Sequence, residues 1–327
     1  MLSSLALLAA RSYTLVVGGD IMLNGIKAGT GPLASVASIF RRADFALANL
    51  EVPLTDSKTP TTRKTAAELR ARSQFILKAD PRHIKALQGC GFDAVSLANN
   101  HAMDYGPKGL AQMRGLLSQA GIRRTGAGPT GDVASSLTVV TGPDGFRVGL
   151  LSALAFMNRG SLAKCGPAGP THAGVHVLSF GGKVDDAAKA KVQSWVGAAR
   201  GRCDYLVVAL HWGIERQTRP TAYQQALGHA VADAGADLVW GSHPHVIQST
   251  EVYRGVPILY STGNLVSPMP GRTALYRIPI SLHKSGKWET LGASISGGKV
   301  RLDTERARSG PGRRIIKRRG ARSRSLK

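Results

Sequence analysis

An α/β protein built around a layered sheet is the fold class this sequence predicts. Short apolar strands alternate with helical segments along the chain. Five of those strands each end in a small polar cluster. Glycine is frequent, at 39 of 327 residues, as many tight turns between short elements require. In sheets of this class ligands bind beyond the carboxyl ends of the strands, so the polar clusters are where function is expected.

The elements follow in order. Tyr13–Val17 is β-branched and aromatic, a strand ending at Gly18-Gly19-Asp20. Ser35–Arg42 is helical in pattern. Asp44–Ala48 is a second buried strand, closed by Asn49-Leu50-Glu51. Thr55–Lys64 is a Pro/Thr/Lys-rich loop running into a basic segment through Arg72, whose cations read as a solvated face. Pro81–Gln88 is a helix, with Asp80 as N-cap and Pro81 in the first turn. Phe92–Leu97 is a third strand, closed by Ala98-Asn99-Asn100-His101, and Gly109–Ala120 is a helix. Shorter strands are expected near Ser136–Val140 and Arg147–Leu151. The glycine-rich Thr125–Gly131 lacks the spacing of a dinucleotide loop and reads as a turn.

Asn158–Thr171 is a Gly/Pro-rich loop and Lys183–Ala199 an amphipathic helix. Tyr205–Leu210 is an apolar strand closed by His211-Trp212-Gly213, and Thr221–Ala234 is helical. Ala236–Trp240 is a buried strand followed by Gly241-Ser242-His243-Pro244-His245, where a proline stiffens a short loop carrying two imidazoles. Val256–Tyr260 is closed by Ser261-Thr262-Gly263-Asn264. Tyr276–Leu282, Trp288–Ile295 and Lys299–Leu302 form a late set of strands, read as a meander.

Charge and composition bound the organisation. The net charge is +23, and 11 Lys and Arg against 2 acidic residues fall in 301–327. Both that tail and the rest of the chain are basic, which suits a polyanionic neighbour. Residues 304–327 offer almost nothing to bury and are expected to be disordered in isolation. The tail lacks the interleaved aromatics that stack on bases, which disfavours nucleic acid as a partner. Three cysteines without metal-type spacing say little; Cys90, after a helix, reads as a small buried apolar residue. Leu2–Ala10 is a nine-residue apolar run ending in Ala-Ala with no positive n-region before it. Two readings stand for residues 1–12, a weak or truncated signal peptide and a disordered start; the strand onset at Tyr13 favours the first. One domain is expected over residues 13–303.

Collected, the strand ends supply Asp20, Asn49, Glu51, Asn99, Asn100, His101, Asp104, His211, Glu215, His243, His245 and Asn264. Each has a bland reading when taken singly: turn chemistry for Asp20 and Asn264, a helix cap for Asn99-Asn100, a satisfied core imidazole for His101. Their joint placement carries the argument. Carboxylates, an amide and imidazoles without a thiolate suit one or two divalent ions, with Mn, Fe or Zn as candidates. Two such ions about 3.5–4 Å apart activate a bridging water and clamp a phosphoryl group. A histidine beside them supplies a proton to the leaving oxygen.

The segments Gly19–Leu23 (GDIML), Ala48–Leu54 (ANLEVPL), Val95–Gly106 (VSLANNHAMDYG), His211–Glu215 (HWGIE), Gly235–Val246 (GADLVWGSHPHV) and Ile258–Val266 (ILYSTGNLV) resemble the CapA-type capsule synthesis family, in family order, over about Tyr13–Val266. That family is associated with poly-γ-glutamate capsule synthesis or export and has a metallophosphoesterase-like fold. The resemblance implies a four-layer α/β/β/α sandwich with the site at one edge. It implies metal ligation by Asp20, Glu51, Asn100, His211, His243 and His245. It gives catalytic roles to His101, as proton donor, and to Asp104 of the same motif. Two departures from calcineurin-like phosphoesterases stand out. Met22 occupies the position of a histidine two residues after the aspartate, and Glu51 stands in for a bridging aspartate. The expected function is metal-dependent hydrolysis of a phosphoester or related bond in a cell-envelope substrate. The alternative is a non-catalytic capsule-assembly subunit binding an anionic polymer at the cell surface. Expected partners are such a polymer or a phosphorylated substrate, together with other capsule-synthesis subunits. The expected location is the cell envelope or the secreted fraction.

Overall fold

The computed structural model describes residues 11–142, 144–156 and 158–303, and the backbone of 308–309. The expected leader remnant lies outside the described residues apart from Arg11 and Ser12. So does the expected disordered tail, apart from the backbone of Arg308–Ser309.

Two mixed sheets and flanking helices build the fold. In the first sheet, β1 (Tyr13–Ile21), β2 (Phe45–Leu50), β3 (Ala94–Ser96) and β4 (Arg123–Thr125) run parallel in that order. A separate pair, β5 (Ala127–Gly128) with β8 (Gly174–Val175), lies apart from both sheets. In the second sheet, β7 (Arg147–Ala155), β9 (Tyr205–Trp212), β10 (Leu238–Ser242) and β12 (Val256–Leu259) are parallel. The antiparallel strands β6 (Thr138–Thr141) and β11 (Thr250–Tyr253) edge it. Returning to the first sheet, β13 (Asn264–Val266) lies parallel to β1, and β14 (Gly271–Ser281) antiparallel to it. Short β15 (Lys284–Ser285), then β16 (Glu289–Ser296), β17 (Lys299–Leu302) and β18 (Arg308–Ser309) extend it as the antiparallel meander.

Period-two alternation sorts the strand residues into separate cores. Leu15 and Val17 of β1 join Val207 and Trp240 of the other sheet in one core, while Val16 packs with Phe40 and Leu110 from helices. Likewise Leu206, Val208 and Leu210 of β9 pack against Val192, Val196 and Leu227 of the helices 186–200 and 222–233. A one-residue slip would turn every one of these side chains to the wrong face, so burial on both faces sets the register. No helix among the described residues is long and apolar enough to cross a membrane.

Local sequence explains most helix ends. Asp80 accepts from the Arg82 N–H, although the first turn from Pro81 is 3₁₀ and the α-helix runs from Ile84 to Cys90. Thr221 and Gln224 form a reciprocal capping box on Ala222–Asp233. Thr221→Ala is expected to lower stability by about 1 kcal/mol in urea denaturation, with Thr221→Ser near wild type. The stretch read as a turn, Thr125–Gly131, is more structured than expected. It contains β5, and Thr130 caps a helix over Gly131–Ser135. Within the Gly/Pro-rich loop, Asn158 caps a short helix over Arg159–Lys164. Gly18-Gly19 does not end β1, which continues to Ile21. A Cβ on Gly19 would sit 1.9 Å from the Gly263 carbonyl oxygen, so glycine there permits the approach that carries Asp20 into the sheet edge.

Candidate metal centre

The parallel strands of both sheets deliver their carboxyl ends to one edge. Asp20 of β1 pairs in register with Asn49 of β2 and Asn264 of β13. His211 at the end of β9 lies beside Ser242 at the end of β10. From the latter the chain enters the His243-Pro244-His245 turn. Both histidines have left-handed backbones, with φ of 94° and 56°. Proline rigidity alone does not produce that turn. The Asp20 carboxylate accepts the His243 N–H at 3.1 Å and so holds a conformation that is costly for residues with a side chain. Gly241 lets this strand end lie against its neighbour, since a Cβ there would sit 2.1 Å from the Tyr260 carbonyl oxygen.

Asp20, Glu51, His211, His243 and His245 converge. Two groups of ligand atoms, each mutually within 4.8 Å, share Glu51: one is Asp20, Glu51 and His211, the other Glu51, His243 and His245. The Glu51 carboxylate lies 3.3 Å from His211 Nε2 and 3.7 Å from His245 Nε2. Asn100 adds its amide oxygen 2.8 Å from His211 Nε2. Around these stand groups that orient them. Asn49 Nδ2 donates to Asp20 at 2.8 Å, Ser242 Oγ meets His211 Nδ1 at 2.8 Å, and Asn264 Oδ1 meets His245 Nδ1 at 2.8 Å. Such partners fix ring orientation and tautomer in metal sites. The Phe156 ring walls one side, 4.5 Å from the His243 ring between centroids.

His101 and Asp104 form a pair behind the ligand atoms, with His101 Nδ1 2.7 Å from the Asp104 carboxylate. Glu215 is exposed and belongs to neither ligand group. Asn99 ties the Leu50 carbonyl to the His101 N–H, which makes it a brace between the end of β2 and the turn after β3. Met22 is buried. The expectation of a solvated face between Arg63 and Arg72 fails at Lys64, which is 3% exposed and pairs with Asp104. Composition around Lys64 suggested solvent; its destination is set by a carboxylate 40 residues along the chain. Neither Lys64 nor Ser242 carries a signal in isolated sequence that marks it as part of the site.

The electrostatics suit a cation. Burial pushes His211 down to about 3 against the pull of Asp20, and burial with its imidazole neighbours holds His243 well below its ordinary value. Both are therefore neutral at pH 7, the form that ligates metal. His245 is the exception. Burial is the largest single effect and works against its charge, but the hydrogen bond and charge of Asp20, with Glu215 and Asn264, together outweigh burial and raise it. Asp20 answers in kind, held below the usual range by His245 against the opposing effect of burial. Glu51 is driven well above the carboxylate range, first by burial and then by Asp20.

Three buried atoms here lack hydrogen-bond partners: both carboxylate oxygens of Glu51 and Nδ1 of His243. Orphaned buried atoms at the centre of such a donor set fit a divalent cation.

The family described as "Bacterial capsule synthesis protein PGA_cap" matches residues 14–269. Over 231 residues the chain is 30% identical to the PGA biosynthesis protein CapA of Bacillus subtilis (strain 168), covering 71% of this chain and 55% of that protein. It is 32% identical over 231 residues to the capsule biosynthesis protein CapA of Bacillus anthracis, covering 71% and 52%. It thus spans about half the length of these curated relatives. The crystal structure of a hypothetical protein from Thermus thermophilus superposes with a TM-score of 0.53 at 16% identity, covering 86% of this chain and 99% of that one. That likeness concerns the fold alone.

Proposed function

The chain belongs to the bacterial capsule synthesis protein family, and from that premise we propose that it is a metal-dependent hydrolase acting on a phosphoester or related bond of a cell-envelope substrate. The observation that carries the reading is the pair of unpartnered Glu51 oxygens between His211 and His245. The separate cores between the sheets and beneath the helices support a four-layer α/β/β/α sandwich of metallophosphoesterase type over residues 13–303.

Asp20, Glu51, Asn100, His211, His243 and His245 would hold one or two divalent ions, Glu51 being common to both ligand groups. When bound, such ions activate water and neutralise charge on a phosphoryl group. The chain's own residues do the rest. Asp104 accepts from His101 Nδ1 and steadies the imidazolium, the form in which Nε2 carries the proton that a leaving oxygen takes, the ring returning to its neutral Nδ1–H tautomer. Phe156 limits water beside His243. Asp20 anchors the turn that carries two of the imidazoles. A cell-envelope or secreted location, and a role beside other capsule-synthesis subunits, belong to the same reading.

The test is elemental analysis of purified protein, then Mn²⁺- or Zn²⁺-stimulated hydrolysis of an aryl phosphate, with wild type set against His243→Ala. The expected result is bound metal and a loss of kcat/KM of at least about a hundredfold in the variant. Wild-type protein that holds no metal after reconstitution defeats the reading. Met22 and the charge of +23 favour a second one, a non-catalytic subunit binding an anionic polymer. Polyglutamate binding that weakens with salt and survives His243→Ala would select it.

A further inference from the structure

Lys64 is, among the described residues, the only lysine or arginine that is buried. An ammonium is a compact, strongly hydrated charge, and removing it from water is costly unless every proton finds an acceptor. Here all three do. Nζ donates to the Phe75 carbonyl at 2.7 Å, to the Asn100 carbonyl at 3.2 Å and to the Asp104 carboxylate. Both oxygens of Asp104 are engaged in turn, Oδ2 accepting from the Leu77 N–H at 2.7 Å and from His101 Nδ1 at 2.7 Å. One side chain thus ties the Phe75–Leu77 segment to the turn from which Asn100 and His101 project. Asn100 is gripped at both ends, its carbonyl by Lys64 and its side-chain oxygen by His211.

We infer that Lys64 is a positioning residue for the metal centre, holding the Asn100 peptide and Asp104 so that Asn100 reaches the ligand cluster and His101 keeps its orientation. This rests on the metal-dependent reading above. The opposing account is charge balance alone, in which Lys64 serves only to neutralise a buried Asp104. The two accounts differ over the Asn100 carbonyl, which charge balance does not involve.

Three variants separate them: Lys64→Met, Asp104→Asn and the double variant. Lys64→Met leaves Asp104 buried with an unbalanced charge, so its Tm is expected to fall. In the double variant both charges are gone and Tm is expected to return close to that of Asp104→Asn. Mn²⁺ affinity, read by electron paramagnetic resonance titration, is expected to stay at least about tenfold weaker in the double variant than in Asp104→Asn, the loss typical when an orienting partner of a ligand is removed. If the double variant binds Mn²⁺ as tightly as Asp104→Asn, charge balance suffices and the positioning role is overturned. The double variant carries the test even where Lys64→Met fails to fold. Wild-type protein that binds no Mn²⁺ refutes the metal reading instead. The crystal structure of the metal-free double variant then decides about Lys64. Displacement of Asn100 from His211 Nε2 supports the role, and an unchanged 2.8 Å contact overturns it.

Discussion

Glu51→Gln is expected to abolish tight metal binding while leaving the metal-free protein as stable as wild type or more so. Glu51 is fully buried and common to both ligand groups, so its loss affects either ion. An amide supplies one neutral oxygen in place of a charged, two-oxygen ligand. The metal affinity should therefore drop by more than the 10–100-fold typical of orienting partners, that is by at least about a hundredfold. Wild type at Mn²⁺ a hundred times its Kd should gain about 2.7 kcal/mol from binding, visible as a raised Tm. Glu51→Gln should show no such gain.

The pH dependence of the metal-free protein gives an independent check. Burial and the charge of Asp20 raise the Glu51 carboxyl well above its ordinary value in the folded chain. The folded state therefore keeps a proton that the unfolded chain has already released. Stability must fall as pH rises from the ordinary glutamate range to the raised folded value, and then level off. With glutamine in place, that slope should disappear from urea denaturation measured across the window under chelation. A Tm that still rises with Mn²⁺ in the variant would overturn the ligand role, and an unchanged slope would overturn the buried-proton role.

The second large effect lies at the starts of β9 and β10, the strands whose far ends carry His211 and Ser242. Asp237, 7% exposed, accepts the Leu206 N–H at 2.7 Å and two hydrogen bonds from Arg200 at 2.8 and 3.1 Å. Its own N–H donates to the Leu206 carbonyl at 2.8 Å. It therefore stitches the start of β10 to β9 and to the helix 186–200. Asp237→Ala orphans a buried N–H and a partly buried guanidinium, for an expected loss of about 3 kcal/mol and a Tm lower by on the order of 10 °C. Asp237→Asn keeps an acceptor for Leu206 and should lose less. Because these contacts lie at the ends of β9 and β10 remote from His211 and Ser242, the folded fraction should bind Mn²⁺ as wild type does. A calorimetric scan paired with a metal titration separates the two effects. A Tm within a degree or two of wild type would show that the bidentate contact contributes little.

Much of this organisation is legible in the residues. Apolar β-branched runs, Thr221 before its helix and Asp80 before Pro81 each act over a few residues, so composition and spacing suffice to find them. The ligand types are legible for the same reason, since each follows directly on a strand. Element ends are less so. Gly18-Gly19 has the composition of a strand end, yet β1 continues because Asp20 finds partners in Asn49 and Asn264 on neighbouring strands. In Thr125–Gly131, strand and cap are stabilised by contacts with β8, some fifty residues later in the chain.

By itself, then, the sequence determined the α/β class, the order of strands and helices, and the presence of carboxylates, amides and imidazoles at strand ends. Those depend on side-chain periodicity and local turn chemistry. The family resemblance named a ligand set with Glu51 at a bridging position and without Glu215; the tertiary structure supplied the distances that gather those groups and make Glu51 common to both ligand groups. It also decided that Lys64 leaves a basic, polar segment for the interior, and that His243 and His245 adopt left-handed backbones against Asp20. Each of those outcomes needs an acceptor or a wall brought from far along the chain. Burial then acts on the assembled groups, raising Glu51 and lowering His211 and His243, a change that no residue carries before its neighbours arrive.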